Sequence, residues 1–239
     1  MNPILEPAGE TLRIDVISDV VCPWCYVGKR QLESALRRWR QGVPQAPEPL
    51  VRWHPFQLNP ELAESGMARA DYMKAKFGSS DPAAIYERVK AAAQGVGLEL
   101  GLERIARQPN TLRAHALIAD AAAAGTGAEN GDAQQALVES LFRGYFVDGV
   151  DLTDPEILVG LAVAAGMPEA RARAALHDTA LLERIAQADV EARRLGVSGV
   201  PFFVIDGRVA VSGAQGADAL LSAIAQARGA DAPFSRPLV

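Results

Sequence analysis

An α/β fold is predicted from three observations. A strand-helix-strand unit opens the chain, a strand-strand-helix unit closes it, and the stretch 61 to 195 between them carries almost only helical periodicity. The first strand is Leu12 to Ser18, where apolar and polar residues alternate and β-branched side chains recur. Asp19 to Val21 then lead into Cys22-Pro23-Trp24-Cys25. Beyond these, Leu32, Ala35, Leu36 and Trp39 repeat at helical spacing until Gly42 and Pro44 stop the helix. A proline-rich loop from Gln41 to Pro49 precedes a second strand, Leu50 to Leu58, which Asn59-Pro60 ends.

The middle stretch shows helix starts at Asp81-Pro82, at Asn110-Thr111 and at Thr153-Asp154-Pro155-Glu156, the last with the spacing of a capping box. Its apolar stripes are Ile85, Val89 and Ala92; Val138, Leu141, Phe142 and Tyr145; and Leu181, Ile185, Ala188, Ala192 and Leu195. Gly125, Gly127 and Gly131, with Asn130 and Asp132, are read as a flexible link. Gly196 is placed to close the last of these helices in a left-handed conformation. Val197 to Pro201 lead into a short strand, Phe202 to Ile205, and Asp206-Gly207 turns the chain back into Arg208 to Ser212. Ala217, Leu220, Leu221, Ile224 and Ala227 form a final amphipathic helix, followed by a loose tail. Two units are therefore expected, one from 1–60 and 196–239, the other an insert over 61–195.

A chain of 239 residues with a formal charge of -5 and no cluster of Lys and Arg offers no basic stripe for nucleic acid. No apolar run reaches membrane-spanning length, and Met1 to Glu10 lack the basic start of a secretory signal, so a cytoplasmic location is expected. That compartment keeps thiols reduced, which leaves the two cysteines, spaced C-x-x-C, in want of a chemical reason. With Pro23 as first helical residue, Cys22 stands at the helix start, where unpaired N–H groups and the positive dipole end favour a thiolate. Cys25 lies on the same helix face, able to attack a mixed disulfide formed on Cys22. The competing readings are two buried core thiols and a zinc site. Zinc would need two further ligands from His54, His115, His177 or distant carboxylates, so no metal is expected.

Ser18-Asp19-Val20-Val21-Cys22-Pro23-Trp24-Cys25-Tyr26 and Gly199-Val200-Pro201-Phe202-Phe203 resemble the DsbA-like oxidoreductases of the FrnE type. The resemblance extends over Asn110 to His115, Leu141-Phe142 through Tyr145-Phe146, and Ser212 to Gln215. It implies a thioredoxin fold interrupted by an all-helical insert, and a cis Val200–Pro201 bond beside the cysteines; from sequence alone, a proline that starts a strand remains the other reading. It makes Cys22, Cys25 and Pro201 the catalytic set of a protein disulfide oxidoreductase or isomerase. Pro23, Trp24, Val200, Asn59, His115 and Gln215 become candidates for contacts with substrate. Trp24 stands where DsbA-type sites often carry His. An indole has no charge, so a less oxidising disulfide is expected here. For His115 two roles compete, a helper base and a core histidine bonded to backbone.

The resemblance also reaches 2-hydroxychromene-2-carboxylate isomerases and kappa-class glutathione transferases, which generally carry Ser where Cys22 stands. A glutathione-dependent isomerase or transferase is thus the alternative, with Asn59, the Val200 backbone and Ser212 to Gln215 available to glutathione. A polypeptide-binding holdase is a second alternative. No cofactor is expected to be tightly bound; protein or small-molecule thiols and disulfides are the expected partners, and whether glutathione serves as a co-substrate stays open. Monomer and homodimer both stay open.

Overall fold

The computed structural model describes residues 11–78, 83–123 and 128–229. The helix start at Asp81-Pro82, Gly125 and Gly127 of the expected link, the first ten residues and the tail beyond Gly229 lie outside them.

β1 (Arg13–Ser18) lies at the centre of a four-stranded sheet, parallel to β2 (Leu50–Pro55) and antiparallel to β5 (Phe202–Ile205), which pairs in turn with β6 (Val209–Ser212). Ile14 and Val16 are fully buried, as an interior strand requires. The hairpin loop is Asp206-Gly207-Arg208; Asp206 and Gly207 have φ of 49° and 67°, the left-handed pair that makes Asp-Gly a turn signal. Asp206 also accepts a 2.8 Å hydrogen bond from Arg13 N–H, tying the turn to the start of β1.

β2 is shorter than its apolar run. The expectation that it reaches Leu58 is corrected to Pro55, because β1 ends at Ser18 and the next three amides find other acceptors. Phe56 N–H donates to Ser18 O (3.1 Å), Gln57 N–H to Asp189 Oδ1 (2.8 Å) and Leu58 N–H to Asp19 Oδ2 (2.7 Å). The outer edge of β2 is closed by a side chain: Gln134 accepts from Trp53 N–H (2.8 Å) and donates to Trp53 O (3.0 Å), acting as one residue of a missing strand.

α1 (Pro23–Gly42) leaves β1 through Asp19 to Cys22 and packs along the last helix, α9 (Ala217–Ala227). Between β2 and β5 come α2 (Arg69–Phe77), α3 (Ala83–Gln94), α4 (Leu112–Ala122), α5 (Ala128–Arg143), α6 (Pro155–Ala164), α7 (Glu169–His177) and α8 (Thr179–Arg194). Among the described residues, the regular structure of this region is helical but for one two-residue antiparallel pair, β3 (Met67–Ala68) with β4 (Arg107–Gln108), too short to leave a periodic signal. α4, α5 and α8 pack on β2, and Tyr26 of α1 stacks on Phe142 of α5 at 5.0 Å between centroids. One apolar core therefore runs from the sheet into the helices.

Three helix readings are corrected. Residues 128 to 132, with Asn130, Gly131 and Asp132, belong to α5 and not to a link. The N-cap of α6 is Asp154, whose carboxylate accepts from Glu156 N–H at 2.8 Å; Thr153 instead bonds to Asp151, so the capping box does not form. On α8, Leu181 and Ile185 are buried but Ala188 is exposed and Leu195 is 77% exposed. The face that turns inward carries Asp189, only 2% exposed, because its carboxylate serves the Gln57 amide. Arg193 completes this clip, reaching both Asp189 (3.2 Å) and Gln57 O and lying 4.1 Å over the Phe56 ring. Gly196 closes α8 with φ of 94°, the left-handed end its sequence predicts.

Candidate active site

Cys22 is the N-cap of α1 and Pro23 its first residue. Proline suits that position, since its missing N–H has no partner to lose and its fixed φ starts the helix. The turn before it is held by Cys22 N–H donating to Asp19 O at 3.0 Å, and Cys25 N–H donates back to Cys22 O at 3.0 Å. No side chain bonds to the helix's first N–H groups at the cap, and the Cys22 thiol donates a long bond, 3.5 Å, to Val200 O. Both cysteines are reduced, Cys22 at 5% exposure and Cys25 at 0%.

Burial pushes the Cys25 thiol well above the ordinary cysteine range, and a hydrogen bond to the Cys22 sulfur, with the charge there, pushes it the same way. The Ser18 hydroxyl and the Asp19 backbone N–H pull against these by bonding to the Cys25 sulfur. The pair is thus divided into one sulfur at the helix start and one protonated sulfur beneath it.

Val200–Pro201 is a cis bond, and Pro201 is buried against α1. The approach is possible because residue 28 is glycine: a Cβ there would sit 2.9 Å from Pro201 Cγ and 3.1 Å from Phe203 Cζ. On the other side, Gly213 N–H donates to Pro201 O at 2.7 Å, which brings the Ser212 to Gln215 loop alongside. Gln215 is exposed there, its amide donating to Ser212 O at 3.0 Å. Trp24 is half-buried against the core.

Asp19 gathers the remaining candidates. Its fully buried carboxylate accepts from Leu58 N–H, next to Asn59, and stands 3.3 Å from His115 Nε2. His115 is itself buried and lies 3.2 Å from Phe56 O, which fits the backbone-bonded role. Asn110 accepts from Leu112 N–H at 2.9 Å and starts α4, so this histidine is aimed from the helix's first turn. Asn59 meets Lys76 Nζ at 3.4 Å, and its Nδ2 is buried without a partner among the described residues. Ser18, Asp19 and Gly28 acquire roles that their residue types do not announce. The available signal is a polar Ser-Asp pair inside an apolar run three residues before a cysteine. Among the described residues, no group of His, Cys, Asp and Glu side chains could hold a metal, and no helix is long and apolar enough to cross a membrane.

This combination, a C-x-x-C at a helix start under a cis-proline, accompanies a match to the DsbA-like thioredoxin domain over residues 13–225, and the chain belongs to that family. It is similar to a probable DsbA oxidoreductase from Streptomyces coelicolor, at 33% identity and a TM-score of 0.76, over 94% of this chain and 93% of that one. It is also similar to the uncharacterized protein YwbO of Bacillus subtilis, at 27% identity over 90% of this chain and 96% of that protein. The cytosolic disulfide reductase DsbM from Pseudomonas aeruginosa, solved with glutathione, shares the fold at 19% identity and a TM-score of 0.57, over 91% and 96% of the two chains.

Proposed function

We propose that this protein is a thiol-disulfide oxidoreductase working through Cys22 and Cys25, with Pro201 shaping the entry. The observation that carries the reading is the division of the two sulfurs, Cys22 at the start of α1 with 5% exposure and Cys25 fully buried and protonated behind it. The Cys22 thiolate attacks one sulfur of a substrate disulfide, forms a mixed disulfide and expels the other substrate sulfur as a thiolate. Cys25 loses its proton, attacks the Cys22 sulfur and releases the second substrate thiol. The substrate gains two electrons, and the protein is left with a Cys22–Cys25 disulfide. Two molecules of glutathione return it to the dithiol, becoming glutathione disulfide; run backwards, the same steps oxidise a dithiol.

Trp24 and Pro23 form the apolar lip against which a polypeptide or small disulfide rests, and the Val200 backbone offers it a strand-like edge. Asn59, with its unpartnered amide beside Lys76, and the exposed Gln215 are the polar contacts for glutathione. The glutathione-bound structure of DsbM, on the same fold, supports glutathione as co-substrate, and the cytosolic location in its name agrees with a cytoplasmic one here. The isomerase and transferase reading has less behind it, since Cys22 keeps a resolving partner in Cys25.

The test compares wild type, Cys22→Ser and Cys25→Ser in insulin reduction and in equilibrium with glutathione. Wild type cycles, Cys22→Ser is inactive, and Cys25→Ser accumulates a mixed disulfide visible by mass. Three variants that behave alike would end the proposal.

A further inference from the structure

Away from the cysteines, an open cleft of about 630 Å³ lies between α2 and α3, within the range of small-molecule sites. Its floor is apolar: Met73 and Leu102 are each 2% exposed and Ile105 is 5% exposed. At one end stands Arg69, the first residue of α2, with its guanidinium 5.3 Å over the Tyr72 ring and 6.0 Å over that of Tyr86. Its hydrogen bonds go to neutral acceptors, the Tyr86 hydroxyl (3.3 Å from Nε) and Gln108 Oε1. No carboxylate pairs with Arg69 among the described residues, and its Nη2 makes no bond there. The cleft's other cation, Lys90, is already paired with Glu103, and the cleft's remaining charge is the exposed carboxylate of Glu87 on α3.

A guanidinium lying over two aromatic rings, with a nitrogen that makes no bond and no acid paired to it among the described residues, is placed to take a carboxylate. An apolar floor beside it takes the hydrocarbon that such a carboxylate carries. We propose that this cleft binds a small amphipathic carboxylate, an acyl or aryl acid whose charged end meets Arg69 and whose body lies on Met73, Leu102 and Ile105. A polypeptide is disfavoured, because among the described residues of the cleft Arg69 is the one anchoring cation without an acid partner, while Lys90 and Glu103 neutralise each other. The site shares no residue with the exchange site, so binding is read without reference to activity.

The experiment is calorimetric titration of the full chain with octanoate and with 1-octanol. Two variants accompany wild type: Arg69→Gln, which removes the charge, and Ala70→Trp, which fills the mouth from an exposed position and leaves the core alone. Wild type is expected to bind octanoate saturably at one site. Arg69→Gln weakens octanoate at least about tenfold and leaves octanol unchanged. Ala70→Trp removes both. Absent or non-saturable octanoate binding, equal affinity in wild type and Arg69→Gln, or full binding by Ala70→Trp would each overturn the proposal.

Discussion

The two sides of α1 are built on opposite terms. At its start the Cys22 sulfur is held lightly, by one 3.5 Å bond to a carbonyl and its contact with Cys25, with no side-chain hydrogen bond on the cap. One turn on, the same helix is bolted to α5. Lys29, only 4% exposed, meets Glu139 at 2.8 Å and also pairs with Glu33; Arg30 pairs with both acids, and the Tyr26 hydroxyl donates to Glu139 at 2.8 Å. Burial, and then the bond to Glu139, push the Tyr26 phenol up to about 12. A sulfur that must change partners needs few fixed bonds, and it can have few because the helix beneath it is immobilised by many.

This contrast is broken most severely at the sulfur end. Cys22→Ser is expected to abolish exchange, by at least about a thousandfold, with a melting temperature close to wild type; insulin reduction and thermal denaturation measured together check it. The clamp end gives the mirror result. Glu139→Ala strands the buried Lys29 on Glu33 alone and is expected to cost roughly 3 kcal/mol, read by urea denaturation, with exchange per folded molecule preserved. Where the two ends meet, Gly28→Ala drives a methyl into Pro201 and Phe203 and should cost about 1–3 kcal/mol. It should also slow exchange, because Pro201 is displaced; a normal rate with lost stability would separate the proline's placement from catalysis.

Two pH profiles sharpen the comparison further. Glu139 is held below the ordinary glutamate value: burial opposes this, but the hydrogen bond and charge of Lys29 outweigh it. A carboxyl with a depressed folded value adds stability that is complete above its unfolded value, about 4.3, and fades as pH falls through the folded one. Stability should therefore decline below about pH 4.3, less steeply in Glu139→Gln. The smallest effect concerns Cys25 in the Cys22→Ser variant. Burial alone keeps this thiol protonated, so iodoacetamide should leave it untouched at about pH 8.5, where a free cysteine is half ionised. Fast alkylation there would show an accessible thiolate and remove the division between the sulfurs.

What the sequence discloses follows from how local each cause is. Pro23, Gly42, Gly196 and the Asp206-Gly207 turn act through their own backbone, and the elements they bound appear where their spacing predicts. Causes that lie across the fold are silent. Asp189 occupies a helix position that pattern reading gives to solvent, and only the stray amide of Gln57 explains its burial. Gly28 looks like a weak helix residue until Pro201 is found against it. Gln134 reads as surface filler, yet it completes the edge of β2. The cysteines announce chemistry through their spacing, whereas Ser18 and Asp19, which touch them, show only as a polar pair inside an apolar run.

The clip formed by Gln57, Asp189 and Arg193 joins the two points where the chain leaves the sheet and comes back to it. With those ends held side by side, extra residues in between cost little, about 0.6 kcal/mol for each doubling of a flexible loop. The helices α2 to α8 thus leave the sheet and return to it at one place, so the strands on either side of them keep their pairing whatever path the chain takes between.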